Sequence, residues 1–282
     1  MGRSEHYDAW IGRTEERADT ITAVPVAALA ATLDRDDPPP QRGTPLPPLW
    51  HWLFFLPLQR QSELGPDGHP RRGGFLPPVA LPRRMWAGGR LTFDGDLRVG
   101  DEVTRSSRIA AVAAKESRSG PLLFVTVEHR IRNAAGAVVA EEHDIVYRDL
   151  PAPGTASPQP PPAPTDEGFA RTVEPDDVLL FRYSALTFNG HRIHYDRRYV
   201  TAVEGYPGLV VHGPLIATLL LDLLRRELPL ARVASFGFKA VSPLFDGRPF
   251  SVCGRCDGER RIALWARNAE GGLAMQASAT ID

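Results

Sequence analysis

Apolar and polar residues alternate along several segments in each half of the chain. The clearest segment, residues 122–131, reads Leu-Leu-Phe-Val-Thr-Val-Glu-His-Arg-Ile. Such alternation is typical of strands with one buried face. The pattern predicts antiparallel strands at residues 90–93, 102–112, 122–131 and 137–147, and again at 234–241, 248–256, 261–267 and 273–281.

Longer apolar stretches predict helices between these strands. Residues 213–227 begin with Gly-Pro, and proline is tolerated in the first turn because its missing N–H would be unpaired there anyway. Residues 21–33 are alanine-rich and predict a short helix. Residues 49–56 are apolar all round, which predicts a buried helix or a hydrophobic wall. The fold class is therefore predicted to be α+β, with each helix packed on an antiparallel sheet.

The two halves of the chain carry a trace of duplication. Residues 132–136 read Arg-Asn-Ala-Ala-Gly and residues 267–271 read Arg-Asn-Ala-Glu-Gly, and both join the last two predicted strands of their half. We predict two similar units. They are residues 1–150 and 166–282, with a proline-rich linker at residues 151–165.

Composition excludes several classes of protein. The chain has 282 residues, 43% of them hydrophobic, and a net charge of −1, so no basic field points to nucleic acid. No apolar run is long enough to span a bilayer, and the polar N-terminus lacks a signal peptide's apolar core. We therefore expect a soluble, cytoplasmic protein. Cys253 and Cys256 form a C-x-x-C in a predicted strand, for which a structural role is expected.

The densest hydrogen-bonding chemistry lies in residues 183–196. His194 can take a proton from water and return it, since imidazole titrates near neutrality. Asn189 could hold a water or a carbonyl, or simply form a turn before glycine. Asp196 is expected to cap the next helical turn. A metal site from His191, His194 and Asp196 is an alternative, although no later ligand pair completes it.

Other residues could bind a substrate around this segment. Gly213 begins the long helix, where a free N–H and the positive dipole end could stabilise an enolate oxygen. The candidate substrate-binding residues are His191, Arg192, Tyr183 and His212 in the second half, with Arg84 and Trp86 in the first. Trp86 could cover an adenine or an acyl chain; the alternative for residues 83–90 is a plain turn into the sheet.

Residues 181–196 and Val211-His212-Gly213-Pro214 resemble the MaoC-like (R)-specific enoyl-CoA hydratases and dehydratases, and within them the branch of mesaconyl-CoA and itaconyl-CoA hydratases. The resemblance implies a double hot-dog fold with a degenerate first unit. It places His194 on the family histidine, Asn189 on the family aspartate, and Gly213 near the glycine whose N–H binds the thioester carbonyl.

The implied activity is reversible hydration of an enoyl thioester carried by coenzyme A or acyl carrier protein, with His194 acting as base and then as acid. No metal or redox cofactor is implied, the first unit supplies pocket walls, and a homodimer is possible. Three alternatives stay open: a thioesterase, a non-catalytic acyl-CoA-binding subunit, and a variant that adds an amine. They differ in free thiol release, in binding without turnover, and in the nucleophile used.

Overall fold

The computed structural model describes residues 7–117, 120–136, 138–150 and 159–282. Ten strands are present in these ranges. The first half contains β1 (Thr14–Thr20), β2 (Arg83–Phe93), β3 (Glu102–Ser117), β4 (Gly120–Asn133) and β5 (Val138–Arg148). The second half contains β6 (Phe169–Val173), β7 (Val233–Ala240), β8 (Phe250–Cys256), β9 (Arg261–Asn268) and β10 (Leu273–Ile281).

The ten strands form one antiparallel sheet with an internal symmetry. Their order is β1-β3-β4-β5-β2-β7-β10-β9-β8-β6, so the second half repeats the first in reverse across the β2–β7 pair. The two similar pentapeptides form equivalent turns, in which Gly136 and Gly271 both have a φ of +84°. Duplicated halves explain this arrangement. The boundaries at residues 150 and 166 stay predictions, and residues 151–158 of the predicted linker lie outside the described ranges.

One long helix occupies the centre of the fold. Helix α4 (Gly213–Glu227) is buried from residue 215 to residue 224 and packs against β6, β8, β9 and β10. The shorter helices are α1 (Ala23–Thr32), α2 (Asp177–Leu186) and α3 (Arg197–Ala202). In the first half, the apolar segment predicted as a helix or wall forms a buried 3-10 turn over Trp50–Leu53. The largest hydrophobic core runs through both halves, and one smaller cluster lies in each half.

A buried carboxylate on α4 joins the halves. Asp222 is 4% exposed and forms ion pairs with Arg35 at 2.8 Å, Arg171 at 3.2 Å and Arg226 at 2.8 Å. A buried charge is tolerated only with such partners. Because Arg35 follows α1 in the first half, this network fixes the central helix against the other unit.

The structure corrects the prediction for residues 83–90, which form strand rather than a turn into the sheet. The pairing of β2 with β5 shifts register between Trp86 and Gly88. A Cβ on Gly88 would lie 2.6 Å from the carbonyl oxygen of Phe238, so glycine here permits the close approach of β7. The predicted strands are otherwise confirmed, whereas β1 and β6 were not predicted.

Both cysteines lie in β8. Cys253 is buried in β8 and Cys256 is exposed, and both are free thiols. Burial raises the pKa of the Cys253 thiol to about 11, which fits the expected structural role.

Within the described ranges, none of the helices has the length and apolar character needed to span a bilayer.

Candidate active site

A cavity of about 1190 Å³ lies between the two halves, which is ample for a coenzyme A thioester. The first half contributes the Trp50–Leu53 turn, the loop after it, and parts of β2 and β5. The second half contributes α2, the loop after it, and Pro214 of α4. Five of the predicted site residues line this cavity: Arg84, Trp86, Tyr183, Asn189 and Arg192. The structure thus brings the predicted residues of both halves together.

The loop after α2 is held in a tight, strained turn. Phe188 adopts a left-handed conformation with a φ of +49°, which is unfavourable for an aromatic residue. Asn189 follows it, donates its backbone N–H to Ser184 O at 2.8 Å, and accepts the His191 backbone N–H on Oδ1 at 3.0 Å. The predicted turn role of Asn189 is therefore present. Its Nδ2 has no hydrogen-bond acceptor among the described residues, so it remains available to a ligand in the cavity.

His194 is fixed in one orientation behind the cavity wall. It ends a 3-10 turn over Arg192–His194 and is 7% exposed. Its Nδ1 lies 2.7 Å from the Val210 carbonyl oxygen, so Nδ1 carries the hydrogen and Nε2 is the acceptor. Burial lowers the pKa of His194 to about 4, although the bond to Val210 opposes that shift. The ring is neutral at neutral pH and can accept a proton.

His194 belongs to a row of four imidazoles. Its ring stacks on His212 at 3.7 Å and meets His191 at 5.4 Å, and His191 meets His69 at 4.1 Å. Nε2 of His212 lies 2.8 Å from Ser184 Oγ. Burial lowers the pKa of His191 to about 2 and the pKa values of His69 and His212 well below normal. All four rings are therefore held neutral.

His69 was not predicted from the sequence, because it arrives on a loop of the first half. Gly68 in that loop has a φ of +85°, and a Cβ there would lie 1.9 Å from Gly190 O. The backbone N–H of Arg192 donates to Asp67 O at 2.9 Å. These contacts fasten the first-half loop to the predicted motif. No local pattern in the sequence indicates this long-range contact.

Helix α4 begins beside the cavity, and the first N–H groups of a helix have no partner within it. Gly213 is its first residue, His212 is the N-cap, and Pro214 lines the cavity. The Gly213 N–H has no acceptor among the described residues. A Cβ on Gly213 would meet only the Trp86 carbonyl oxygen, at 3.9 Å. This geometry suits an oxyanion at the positive helix end. Gly213 and the histidines of the second half contact the lining residues without themselves forming the wall.

A second polar cluster lines the cavity from the first half. Glu141 on β5 is 3% exposed, and its carboxylate lies 3.1 Å from His51 Nε2, 3.0 Å from Trp52 Nε1 and 3.1 Å from His143 Nε2. The histidines hold the pKa of Glu141 well below its usual range despite complete burial. The first half therefore contributes charged chemistry as well as the pocket walls that the sequence implied. The sequence signal that could have found this cluster is a charged residue, Glu141, at a position on the buried side of a strand.

The predicted alternative of a metal site does not assemble as proposed. The Asp196 carboxylate caps α3 by accepting the Tyr199 backbone N–H at 2.9 Å and pairs with Arg192 at 2.7 Å. This confirms the expected capping role. In the first-half cluster, His51 Nε2 and Trp52 Nε1 both lie within hydrogen-bond distance of Glu141 Oε2. A reaction without a metal or redox cofactor stays a prediction.

Comparison with known proteins agrees with this geometry. The family model of hydroxyacyl-thioester dehydratase type 2 matches residues 49–246. The chain is 48% identical over 278 residues to the mesaconyl-C(4)-CoA hydratase of Chloroflexus aurantiacus, covering 98% of both proteins. It is 27% identical over 268 residues to the mitochondrial hydroxyacyl-thioester dehydratase type 2 of Schizosaccharomyces pombe, covering 83% of this chain and 88% of that protein.

Solved structures show the same fold at low sequence identity. A MaoC-like dehydratase from Phytophthora capsici is 14% identical with a TM-score of 0.68, covering 96% of this chain and 95% of that one. A Mycobacterium tuberculosis protein described as a double hotdog is 15% identical with a TM-score of 0.57, covering 96% of both chains. The predicted double hot-dog is confirmed. The chain belongs to the hydroxyacyl-thioester dehydratase type 2 family, and it is a hydro-lyase that adds water to an unsaturated acyl thioester or removes water from the corresponding hydroxyacyl thioester.

Proposed function

We propose that the chain reversibly hydrates an enoyl-CoA whose acyl group carries a second, free carboxylate, as mesaconyl-C4-CoA does. The observation that carries this proposal is Arg84, which lines the cavity with no carboxylate within ion-pair distance among the described residues. Burial lowers the pKa values of His69 and His191, and the charge of Arg84 adds to that shift. An unmatched guanidinium beside neutral imidazoles suits an anionic ligand group. The activity named for the 48% identical relative points the same way.

The proposed reaction begins with the thioester carbonyl at the start of α4. The Gly213 N–H would bind the thioester oxygen, which makes the β-carbon electrophilic and stabilises the enolate formed on attack. The Asn189 amide nitrogen would donate a hydrogen bond to the oxygen of the attacking water. His194 Nε2 would take a proton from that water. Protonation of the α-carbon completes the addition, and dehydration follows the same steps in reverse.

Arg84 would bind the distal carboxylate of the acyl group in this pose. Trp86 lies two residues further along β2, with its ring 4.9 Å from that of Trp52, so aromatic surface flanks the acyl chain. Tyr183 in α2 and Arg192 in the facing loop line the opposite side of the cavity. A charge-assisted pair in such a cavity contributes about 1.5–3 kcal/mol, enough to select a dicarboxylic substrate over an uncharged one.

The test exchanges Arg84 for glutamine and compares two substrates. For Arg84→Gln we expect kcat/KM to fall about 10- to 100-fold with mesaconyl-C4-CoA, because the carboxylate loses its charged partner. With uncharged crotonyl-CoA we expect a change of less than about threefold. Loss of absorbance from the enoyl thioester measures both rates.

Arg83→Gln is the matched control. Arg83 is the preceding residue on β2, and its guanidinium is paired with Glu204 at 2.9 Å. We expect Arg83→Gln to affect both substrates equally. An equal loss on both substrates in Arg84→Gln, or no loss on either, would overturn the proposed carboxylate recognition.

Three finer properties belong to the same proposal. Exposed aromatic rings that line the cavity, Phe181, Phe188 and Tyr195, support coenzyme A as the carrier, because its adenine can stack on them. Free thiols at Cys253 and Cys256 fit a cytoplasmic location. Homodimer formation is also proposed, and sedimentation analysis of the full chain would test it.

A further inference from the structure

A second cavity, of about 360 Å³, lies beside the later turns of α4, apart from the active-site cavity of about 1190 Å³. Both halves of the chain line the second cavity, mainly with apolar side chains that include Leu46, Trp50, Phe93, Val139, Leu221 and Leu224. A smaller apolar cavity of about 150 Å³ already holds a ligand of the size of benzene. The second cavity is therefore large enough for several methylene groups of an acyl chain.

The charges that border the second cavity are already neutralised. Its charged lining residues, Asp96, Asp222, Arg225 and Arg232, each form an ion pair. The pairs of Asp222 are those that join α4 to the first half. Because no charged lining residue in the described ranges lacks a partner, the second cavity suits an apolar ligand rather than an ionic one.

The two cavities meet at His51. Of three consecutive residues in one 3-10 turn, Trp50 lines the second cavity, Trp52 lines the active-site cavity, and His51 lines both. Strand β5 shows the same division on its buried face. Val139 lines the second cavity, and Glu141, two residues further along, lines the active-site cavity. The turn and the strand together separate the two spaces.

The side chains of His51 and Glu141 close the inner end of the active-site cavity. Nε2 of His51 lies 3.1 Å from Glu141 Oε2, and both residues are 3% exposed. Trp52 Nε1 donates to the same oxygen at 3.0 Å. At the outer end, by contrast, the lining residues Phe181 and Phe188 are 63% and 53% exposed. A coenzyme A thioester would enter from that side, with its acyl group directed inward.

Aromatic contacts lead from the proposed thioester site to this buried pair. A Cβ on Gly213 would lie 3.9 Å from the Trp86 carbonyl oxygen, and the ring of Trp86 lies 4.9 Å from that of Trp52. Trp52 in turn donates to Glu141. An acyl chain with its thioester at Gly213 would therefore extend along these rings toward the His51–Glu141 pair.

The second cavity continues the active-site cavity along α4. Pro214 lines the active-site cavity, and Leu221 lines the second one. At a rise of about 1.5 Å per residue, these two residues are about 10 Å apart along the helix axis. A longer acyl chain that followed α4 from its start would therefore reach the second cavity if the pair did not separate the two spaces.

The pair opposes a longer apolar chain by its charge as well as by its bulk. Despite burial, the neighbouring histidines hold the pKa of Glu141 well below its usual range, so the carboxylate is ionised. The end of an apolar chain pressed against this pair would exclude water from a charge without hydrogen bonding to it, which is unfavourable. A short acyl group ends before it meets this obstacle.

We propose that the His51–Glu141 pair restricts the enzyme to short acyl groups by closing the passage to the second cavity, and that His51 is the specificity-determining residue. Without the imidazole, the second cavity would receive the end of a longer enoyl chain. This inference rests on the proposed hydration, with the thioester at Gly213, and it changes none of the chemical steps.

The test is His51→Ala in the full-length protein, with decenoyl-CoA as the long substrate. The short substrate is whichever of mesaconyl-C4-CoA and crotonyl-CoA the native protein hydrates faster. The measured quantity is the ratio of kcat/KM for the long substrate to kcat/KM for the short one. This ratio does not depend on the fraction of folded enzyme, so a loss of stability on removing a partner of Glu141 does not obscure the result.

We expect a ratio below about 0.01 in the native protein and a ratio about 100-fold higher or more in His51→Ala, because each methylene group buried in apolar surroundings strengthens binding about fourfold. Loss of the enoyl-thioester absorbance measures both rates. An unchanged ratio in His51→Ala, or native hydration of decenoyl-CoA as fast as of the short substrate, would overturn the proposal.

Val139→Phe, added to His51→Ala, tests whether the gain depends on the second cavity. The larger side chain would occupy that cavity next to the opened passage. We expect the ratio to return to within about threefold of the native value, since the chain end then has no apolar space to enter. A ratio that stays high in the double variant would place the longer chain elsewhere and contradict the proposal.

His129→Ala is the matched control. His129 is another buried imidazole of the first half, 8% exposed with Nδ1 2.8 Å from Ser107 Oγ, and it lines neither cavity. We expect its ratio to equal that of the native protein. Native hydration of a short substrate with an unchanged ratio in His51→Ala would refute this inference alone, whereas absence of native hydration of both short substrates would refute the proposed function.

Discussion

Burial sets the protonation of individual residues in this site. The imidazoles of His191 and His194 are removed from water, and their pKa values fall to about 2 and about 4. Neutral rings accept protons, and Nδ1 of His194 is already committed to the Val210 carbonyl oxygen. The proposed base is thus prepared by its position in the fold rather than by a partner carboxylate.

The same burial makes the stability of the protein depend on pH. His69, His129, His191, His194 and His212 all have folded-state pKa values below the unfolded value of about 6.5. Below about pH 6.5 the unfolded chain therefore binds protons that the folded chain excludes, so the free energy of unfolding falls as pH falls. Each excluded proton contributes a slope of up to about 1.4 kcal/mol per pH unit.

Urea unfolding at pH 7.5, 6.5 and 5.5 measures this loss. We expect a progressively lower midpoint, and a shallower pH dependence in His129→Gln, because that variant lacks one of the excluded protons. A midpoint that stays constant over this range would mean that the imidazoles are charged in the folded protein.

Single residues also show how far sequence reasoning reaches. Asn189 and His194 were found because they share one short segment with apolar flanks. His69 and Glu141 were missed, because their places in the cavity wall depend on contacts between distant parts of the chain. The pairing of Glu141 with His51, for example, spans 90 residues. Physical chemistry identifies the residue types that suit a site, but only the folded structure shows which of these residues come into contact.

At the scale of elements, the site depends on two loops held together by glycine. Gly68 has a φ of +85°, and a Cβ there would overlap the Gly190 carbonyl oxygen at 1.9 Å. We predict that Gly68→Ala separates the loops and lowers the free energy of unfolding by about 2 kcal/mol or more, since it adds both backbone strain and a steric clash. The kcat of hydration is expected to fall with it, because His69 and Arg192 move apart.

Gly43→Ala controls for backbone strain alone. Gly43 has a φ of +88°, but nothing lies within 4 Å of its Cβ position. We expect this variant to lose only about 1 kcal/mol and to keep its activity. Equal effects of the two substitutions on urea unfolding and turnover would show that the loop contact does not matter.

Elements with strong periodic signals were predicted well, and the others were not. Helix α4 is confirmed because glycine and proline mark its start and its apolar run is long. Strand β6 alternates in burial, but the half-buried position at its centre is Arg171, so its sequence does not alternate apolar and polar residues. A plain turn is one of the two alternatives that the sequence offers for residues 83–90, whereas they form strand, and their glycine pair allows β7 to approach β2. A glycine pair permits both outcomes, and only the neighbouring strand decides between them.

The whole molecule combines a symmetric sheet with asymmetric chemistry. Strand order and turns repeat between the halves, but α4 has fifteen residues where the first half has a 3-10 turn of four. The second half provides a helix N-terminus and neutral imidazoles, and the first provides Arg84 and the Glu141 cluster. Because the set from the first half lines the cavity and the set from the second half contacts the lining residues, neither half alone contains the proposed reaction. The sequence analysis predicts that the catalytic motif lies in the second half alone, but it does not predict the Glu141 cluster of the first half.

The most direct test follows the enoyl-thioester absorbance and the free thiol together, with mesaconyl-C4-CoA and either the native chain or His194→Gln. We predict that the native protein removes the absorbance without releasing thiol, and that kcat of the variant falls about 100-fold or more, because the base is lost while binding at Gly213 and Arg84 remains. Release of thiol by the native protein, or a His194→Gln variant as active as the native chain, would contradict hydration by this site.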